Sequence, residues 1–149
     1  MDRSERAGEF FLSGYNCAQS VTMAFADLIG MEEAAAARLA SPFGGGMGRM
    51  REVCGAVSGM LIVYGILYGY DSGGDEIKQA VYTQVQDLAG AFREEVGTII
   101  CREILDNPST APTPSPRTER FYKERPCARM VMTAARILDE FIEAHPIAR

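Results

Sequence analysis

The residues of this sequence best suited to chemistry are its four cysteines: Cys17, Cys54, Cys101 and Cys127. Cysteine thiolates attack other sulfur atoms, oxidise and bind metal ions. In a reducing compartment, four cysteines indicate a catalytic or metal-binding role more often than a structural disulfide framework. Successive cysteines are 37, 47 and 26 residues apart. This spacing disfavours a zinc or ferredoxin site built on one loop and leaves a centre assembled from separate elements.

Each cysteine is predicted to lie at or near the start of a helix. In chain order, Cys17 follows a cap at Asn16, and Cys54 lies in the opening turn of an apolar helix from about Glu52. Cys101 is the third residue after a cap at Thr98, and Cys127 follows Pro126, the predicted first residue of the last helix. Free N–H groups and the positive end of the helix dipole favour an anion such as a thiolate at these places. We therefore expect the four thiols to converge on one site.

Basic residues flank three of the four thiols and strengthen this expectation. They are Arg49 and Arg51 before Cys54, Arg102 after Cys101, and Arg125 and Arg129 around Cys127. A helix N-terminus and nearby cations lower a thiol pKa from about 8.5 into the range of roughly 3.5–7.5. We expect Cys54 to be the more reactive thiol, with Cys17 as its partner. In the alternative interpretation, all four cysteines are inert core residues that pack as small hydrophobic side chains.

A glycine-rich run, FGGGMG at 43–48, precedes Cys54 and can bring ligands to its thiol. Backbone N–H groups without side chains in the way can form an anion-binding nest and let a cofactor, a second sulfur or a substrate approach. The predicted cofactor-binding residues are Gly44, Gly45, Gly46 and Gly55. The run lacks the lysine of a GxxxxGK[ST] phosphate loop and a preceding strand, which argues against a nucleotide site.

Helical periodicity without strand-like alternation predicts an all-α fold, with residues 1–149 forming a single-domain bundle of about six helices. The central helix is predicted to be the apolar, glycine-rich segment at 53–70, which carries no charge over 18 positions. Its four glycines and three tyrosines lower its hydrophobicity, so we expect it to be buried in the bundle rather than to span a membrane. Gly55 and Gly59, one turn apart, predict a face that a neighbouring helix approaches closely.

Two further segments complete the predicted architecture. An amphipathic helix at about 76–96 carries an apolar stripe at i, i+4 steps, formed by Ile77, Val81, Val85, Leu88 and Phe92. The segment at 106–126 holds five of the seven prolines, and we expect it to be a loop. A stretch of this length without its own structure is typically a functional lid, an insertion or a mobile segment. Its mixed charged run at 117–125 is predicted to be exposed, with electrostatic covering of the thiols as the alternative.

The net charge and the N-terminal sequence indicate which classes of partner are disfavoured and where in the cell the protein is expected. The net charge of −5 argues against nucleic acid as a partner, because phosphate binding needs a basic face. The N-terminal segment carries both charge signs and only a three-residue apolar run, so no signal peptide is predicted and a cytoplasmic location is expected. The single histidine, His145, lies in the C-terminal tail and supports no Ser–His–Asp arrangement.

Several stretches together carry a family resemblance: GYNCAQSV at 14–21, FGGGMG at 43–48, EVCGAVSG at 52–59, and the cysteines at 101 and 127. Over almost the whole chain the sequence resembles the C_GCAxxG_C_C family of redox-active proteins, which have a CGAxxG motif and four cysteines. The motif falls on Cys54, Gly55, Ala56 and Gly59, in the order Cys-Gly-Ala where the family name has Gly-Cys-Ala. The resemblance implies a small bacterial or archaeal protein with a thiol-redox role and a functional link to a membrane transporter.

Three functions remain open from the sequence. The first is thiol–disulfide exchange, in which an activated thiolate forms a mixed disulfide with a redox partner or a small molecule, and a second cysteine resolves it. The second is a metal-binding module in which Cys17, Cys54, Cys101 and Cys127 hold zinc or an iron–sulfur cluster. The third is a structural or interaction protein whose glycine-faced apolar helix mediates packing or homodimerisation.

Overall fold

The computed structural model describes residues 2–147 and has an all-α fold. Its helices are α1 (Arg3–Leu12), α2 (Cys17–Ala24), α3 (Glu33–Ala40), α4 (Gly55–Tyr68), α5 (Asp75–Val96), α6 (Cys101–Ile104), α7 (Glu119–Glu124) and α8 (Cys127–Ala144). A single turn of 3₁₀ helix, Ser41–Phe43, follows α3. The all-α prediction is confirmed, with eight α-helices in the described part of the chain where about six were expected.

Local sequence accounts for the ends of two helices that matter for the site. Asn16 and Gln19 form a capping box at the start of α2, in which each side chain accepts from the backbone N–H of the other residue. Gly97 follows the last residue of α5 in a left-handed conformation, with φ at 104°, which glycine adopts without a Cβ clash. The predicted cap at Asn16 and the predicted end of the amphipathic helix at about residue 96 are confirmed.

The apolar residues after Asn16, among them Val21 and Phe25, predict a second helix that runs to Gly30. This prediction is wrong, because α2 ends at Ala24. The N–H groups of Phe25 and Ala26 bond to carbonyls three residues earlier instead of four, so the chain tightens into turns. Both side chains are nonetheless buried, which keeps the apolar residues of this stretch in the core.

Two helices organise the core, because each packs against several others. α8 contacts α1, α2, α4 and α5, while α2 contacts α1, α3 and α4 as well. The largest fully buried side chains are Tyr64, Phe25, Phe92, Met60, Met130 and Leu138. Each side chain of this size stabilises the fold by roughly 1.5–3 kcal/mol when it is buried. The shared core therefore fixes the relative positions of the starts of α2, α4 and α8.

The glycine face of α4 packs closely against α2, as predicted. A Cβ atom added to Gly59 would lie 2.6 Å from the carbonyl oxygen of Ala18, and one added to Gly55 would lie 3.2 Å from the Cβ atom of Cys17. A real Cβ atom essentially never comes within 3.0 Å of such a neighbour, so Gly59 has no room for a side chain. This close approach brings the start of α4 next to Cys17.

The apolar segment predicted at 53–70 forms α4, which is 14 residues long and has seven buried residues. It packs against α2, α5 and α8. No helix within residues 2–147 is long and apolar enough to cross a membrane. All seven buried residues lie within residues 55–64, whereas Ile66 is 45% exposed. Burial against other helices is therefore confirmed for the first part of α4, and its central place in the bundle stays a prediction.

α5 lies at the edge of the core. Within its predicted apolar stripe, Leu88 and Phe92 are buried, whereas Ile77 is 44% exposed and Val81 and Val85 are half-buried. Only the C-terminal half of the stripe therefore belongs to the core. The homodimer expected from the sequence stays a prediction.

Candidate redox site

The four cysteines lie on the wall of one cavity of about 440 Å³, here named the thiol cavity. Three of them, Cys17, Cys101 and Cys127, are the first residues of α2, α6 and α8. The fourth, Cys54, is the residue that immediately precedes α4. The predicted placement of the thiols at helix N-termini and their convergence on one place are confirmed.

Backbone pairing brings Cys54 and Cys101 together, although they are far apart in the sequence. The N–H of Cys54 donates to the carbonyl of Ile99 at 2.7 Å, and the N–H of Cys101 donates to the carbonyl of Glu52 at 2.6 Å. These two bonds flank an isolated antiparallel bridge. Both cysteines are buried, with Cys54 5% and Cys101 6% exposed.

The same pairing explains two wrong predictions of helix starts. α4 begins at Gly55 rather than near Glu52, because the paired stretch before it is extended. α6 begins at Cys101, so Thr98 does not cap it. The Thr98 hydroxyl instead accepts from the N–H of Ile100, in the turn before the helix.

Cys17 and Cys127 form the second pair, and their side chains are hydrogen-bonded to each other. Cys17 follows the Asn16 cap, as predicted. Cys127 follows Pro126, which lies at the cap of α8 rather than at the first helical position that the sequence predicted. Both cysteines are half-buried, unlike the first pair, and all four cysteines are free thiols.

The glycines predicted to bind a ligand all line the thiol cavity: Gly44, Gly45, Gly46 and Gly55. Gly46 has a left-handed φ of 72°, and an added Cβ atom there would lie 2.7 Å from the Cβ atom of Cys101. Only glycine therefore lets the loop come this close to the thiol. The N–H groups of residues 47–52 donate to carbonyls within the loop and cannot join an anion-binding nest. The binding role predicted for the four glycines stays a prediction.

Among the described residues, the wall of the thiol cavity contains no acidic residue and no lysine, but it contains four arginines: Arg49, Arg51, Arg117 and Arg125. Arg51 is 3% exposed. Its Nη1 lies 3.7 Å from Sγ of Cys101, and its Nε donates to the carbonyl of Ser109. The sequence predicted Arg51 as a neighbour of Cys54, whereas its guanidinium contacts the thiol of Cys101.

Two of the predicted flanking cations lie away from the thiols. Arg102 forms an ion pair with Glu52 at 2.6 Å and donates to the carbonyl of Arg51. Arg129 is exposed on α8 and does not line the thiol cavity. Position next to a cysteine in the sequence is therefore a poor guide to which cation is near its sulfur atom.

The proline-rich segment at 106–126 supplies part of the cavity wall and contains α7, so it is not a loop throughout. Its attachment depends on Arg117, whose guanidinium donates to the carbonyls of Phe11 and Tyr15, both at 2.9 Å. The same guanidinium lies 4.3 Å from the centroid of the Phe11 ring, within cation–π range. Sequence reasoning missed Arg117 as a site residue. The available signal was an arginine at the start of the charged run at 117–125, the run for which covering of the thiols was the alternative.

The pKa values divide the second pair into an attacking group and a proton donor. The hydrogen bond from Cys17 lowers the pKa of the Cys127 thiol to about 7, and the positive charges of Arg125, Arg117 and Arg51 act in the same direction. The pKa of Cys17 is raised well above its ordinary value, by that hydrogen bond first and then by burial. Cys127 is therefore the thiolate of the pair near neutral pH, and Cys17 keeps its proton.

The first pair has raised pKa values, because burial disfavours a charged sulfur. Burial raises the pKa of Cys54 to about 12. Burial also raises the pKa of Cys101, although the hydrogen bond and the charge of Arg51 oppose the shift. The environment of Cys54 thus lacks the nearby cations from which its high reactivity was expected.

The residues of the thiol cavity do not form a metal site in this structure. Within residues 2–147, no group of three or more histidine, cysteine, aspartate or glutamate side chains is arranged to hold a metal ion. A zinc or iron–sulfur centre needs such a set of ligands at bonding distance. The zinc and iron–sulfur alternatives stay predictions that this arrangement of sulfur atoms does not support.

Comparison with protein families connects this geometry to a known group. Residues 15–141 match the model of the family described as "Putative redox-active protein (C_GCAxxG_C_C)". The chain belongs to this family. All four thiols of the cavity lie inside the matched range. No curated protein and no solved structure matches the chain significantly. The transporter link and the cytoplasmic location implied earlier stay predictions.

Proposed function

We propose that this member of the C_GCAxxG_C_C family carries out thiol–disulfide exchange, with Cys127 as the attacking thiolate and Cys17 as the resolving thiol. The observation that carries the proposal is the position of two free, half-buried thiols at the starts of α2 and α8, on the wall of one arginine-lined cavity. Thiol–disulfide exchange requires a thiolate near ambient pH and a second thiol within reach of the mixed disulfide. The pair of Cys127 and Cys17 has both properties.

The first step forms a mixed disulfide. The Cys127 thiolate attacks one sulfur of a disulfide R–S–S–R, a Cys127–S–S–R bond forms, and the other half leaves as the thiolate RS⁻. In the second step the Cys17 thiol gives up its proton to the released thiolate and attacks the sulfur of Cys127. A Cys17–Cys127 disulfide forms and the second half leaves as RS⁻. The protein loses two electrons, which reduce the substrate disulfide to two thiols.

The cycle closes when an external dithiol reverses these two steps. The reductant attacks the Cys17–Cys127 disulfide, becomes a disulfide itself and returns two electrons to the protein. Cys54 and Cys101 stay reduced in this scheme, because their buried thiols ionise only at high pH. The proposed ranking places Cys127 ahead of Cys54, opposite to the order expected from the sequence.

The test is mass spectrometry of the protein after exposure to a slight excess of the neutral hydroxyethyl disulfide. We expect the wild type to form an intramolecular disulfide that maps to Cys17 and Cys127. Cys17→Ser is expected to accumulate the mixed disulfide on Cys127, because no resolving thiol is present. Cys54→Ser serves as the matched control and should behave like the wild type.

Two results would contradict the proposal. One is a wild-type disulfide that maps to Cys54 and Cys101 instead. The other is a Cys127→Ser variant that consumes hydroxyethyl disulfide as fast as the wild type, since it lacks the proposed attacking sulfur.

A further inference from the structure

The wall of the thiol cavity has a charge opposite to that of the whole protein. The chain has a net charge of −5, yet the cavity wall contains four arginines and no acidic residue. One thiolate at Cys127 balances only one of these charges. A cavity lined by one sign of charge concentrates ligands of the other sign, so the thiol cavity favours an anionic ligand.

Arg51 is the arginine whose surroundings most clearly lack an anion. It is 3% exposed, and its Nη2 has no hydrogen-bond partner within residues 2–147. Its other nitrogens contact a carbonyl oxygen and the sulfur of Cys101, which are neutral groups at neutral pH. A buried guanidinium is strongly destabilising unless it is paired and hydrogen-bonded.

Five arginines of the described chain are paired with carboxylates, whereas none of the four arginines of the thiol cavity is. The pairs are Arg3 with Asp27, Arg6 with Glu33, Arg102 with Glu52, Arg120 with Glu124 and Arg136 with Glu95. These partly or fully exposed arginines have the partner that the buried Arg51 lacks. A guanidinium fork matches the geometry of a carboxylate, so the group missing at Nη2 is best supplied by the carboxylate of a ligand.

We propose that the substrate is a small disulfide that carries a carboxylate, and that Arg51 Nη2 binds this carboxylate while the Cys127 sulfur attacks the disulfide bond. The proposal rests on the thiol–disulfide exchange proposed above and adds the class of substrate. Both residues line the same cavity of about 440 Å³, a volume that suits a small molecule. The segment at 106–126 forms part of the wall of this cavity.

The first experiment compares three small disulfides of similar length and different charge. Dithiodipropionate carries carboxylates, hydroxyethyl disulfide is neutral, and cystamine carries ammonium groups. For each disulfide, the rate of Cys127 oxidation is divided by the rate at which the same disulfide reacts with free mercaptoethanol. This ratio removes the differences in intrinsic reactivity among the three disulfides. We expect the anionic disulfide to be preferred over the neutral one by about tenfold and cystamine to be disfavoured.

The variant Arg51→Met should remove the preference for dithiodipropionate over hydroxyethyl disulfide. The ratio of the two rates is the readout, because Arg51 also affects the ionisation of Cys127 and changes both rates together. Arg93→Met is the matched control, because it changes the net charge by the same amount and Arg93 is exposed at the end of α5. The control should keep the wild-type ratio.

The second experiment measures binding without any thiol chemistry. Suberate has the length and carboxylates of dithiodipropionate but no sulfur, and octanediol is its neutral counterpart. Calorimetry should detect suberate and not octanediol, in the wild type and in the Cys17→Ser/Cys127→Ser double variant. The charge series and this measurement use the wild type, so the proposal stays testable even if Arg51→Met fails to fold.

The possible results separate this inference from the proposed exchange. Equal normalised rates for all three disulfides, with no binding of suberate, would overturn the inference while thiol–disulfide exchange stands. Binding of suberate without oxidation of Cys127 by any disulfide would overturn the exchange and leave an anion site at Arg51. Preference for dithiodipropionate that survives in Arg51→Met would remove Arg51 from the site.

Discussion

The thiol cavity contains two pairs of cysteines that share a place in the fold and differ in chemistry. Cys17 and Cys127 are half-buried and hydrogen-bonded to each other, whereas Cys54 and Cys101 are buried beside a short backbone pairing. All four lie at helix N-termini. The pKa of Cys127 is nevertheless lowered to about 7, while that of Cys54 is raised to about 12.

The contrast between the pairs shows which effect controls the pKa of a thiol at a helix start. The helix dipole acts on both pairs and therefore cannot separate them. A hydrogen bond from a second thiol and three nearby arginines separate Cys127 from the rest. Burial dominates the pKa of Cys54, although hydrogen bonds from the backbone of Ala56 and Val57 oppose the shift. Cys101 has the guanidinium of Arg51 beside its sulfur and its pKa is still raised, so donors and cations make a thiol at a helix N-terminus reactive only where they outweigh burial.

The largest effect that we predict is the difference in alkylation between the two pairs. At about pH 8, iodoacetamide should modify Cys127 more than about 100-fold faster than Cys54, because only the thiolate attacks and Cys54 is almost fully protonated there. The Cys127 rate should rise with pH through a midpoint near 7, the pKa of this thiol. Mass spectrometry of the modified peptides measures both rates. Faster modification of Cys54 would remove the distinction between the pairs.

The next effect is smaller and tests the hydrogen bond inside the reactive pair. Cys17→Ala removes the group that lowers the pKa of Cys127 most. We expect the midpoint of Cys127 alkylation to move upward toward the ordinary value, with a rate at neutral pH that is lower by about tenfold. Cys54→Ala is the control and should leave the midpoint of Cys127 in place. An unchanged midpoint in Cys17→Ala would show that the arginines alone stabilise the thiolate.

A still smaller effect distinguishes two arginines that flank Cys127 in the sequence. Arg125 lines the cavity and lowers the pKa of Cys127, whereas Arg129 is exposed on α8 outside the cavity wall. Arg125→Met should raise the alkylation midpoint by less than Cys17→Ala does, and Arg129→Met should barely change it. The same pH series measures both variants. Equal shifts in the two variants would mean that the general charge of the protein, not the cavity, controls this thiol.

The sequence predicts the helix starts well where a local signal defines them. Asn16 and Gln19 lie three residues apart, and their capping box forms as expected, with Cys17 directly after it. The glycine spacing in α4 predicts the close contact with α2 that brings Cys17 near Gly55. Both signals act over a few residues. The convergence of the thiols therefore follows from short patterns combined with one buried core.

The division of the thiols into pairs could not be predicted in the same way. The bonds of Cys54 and Cys101 join stretches with no strand-like alternation, so the sequence contains no sign of their pairing. Arg117 donates to carbonyls more than 100 residues away. The net charge of −5 also conceals a cavity lined by arginines. These features depend on long-range packing, which sets the electrostatics of the site.

The smallest effect that we predict concerns stability rather than reactivity. The pKa of Cys127 is lowered from an ordinary value of 9.0 to about 7 in the folded protein. Such a group stabilises the fold fully above the unfolded pKa, and this contribution is lost as the pH falls through the folded pKa. The free energy of unfolding of the wild type, relative to Cys127→Ser, should therefore increase by about 1 kcal/mol between pH 7 and pH 9.

This increase is smaller than the full shift implies, because Cys127 is partly exposed and water screens its charge. Above that window the raised pKa of Cys17 acts in the opposite direction, since the folded state resists its ionisation while the unfolded state does not. Chemical denaturation of both proteins across the pH series measures the difference. The free energy of unfolding of the wild type relative to Cys54→Ser should not increase over this window, because the pKa of Cys54 is raised rather than lowered in the folded protein. An equal increase in both comparisons would assign the pH dependence to groups outside the reactive pair.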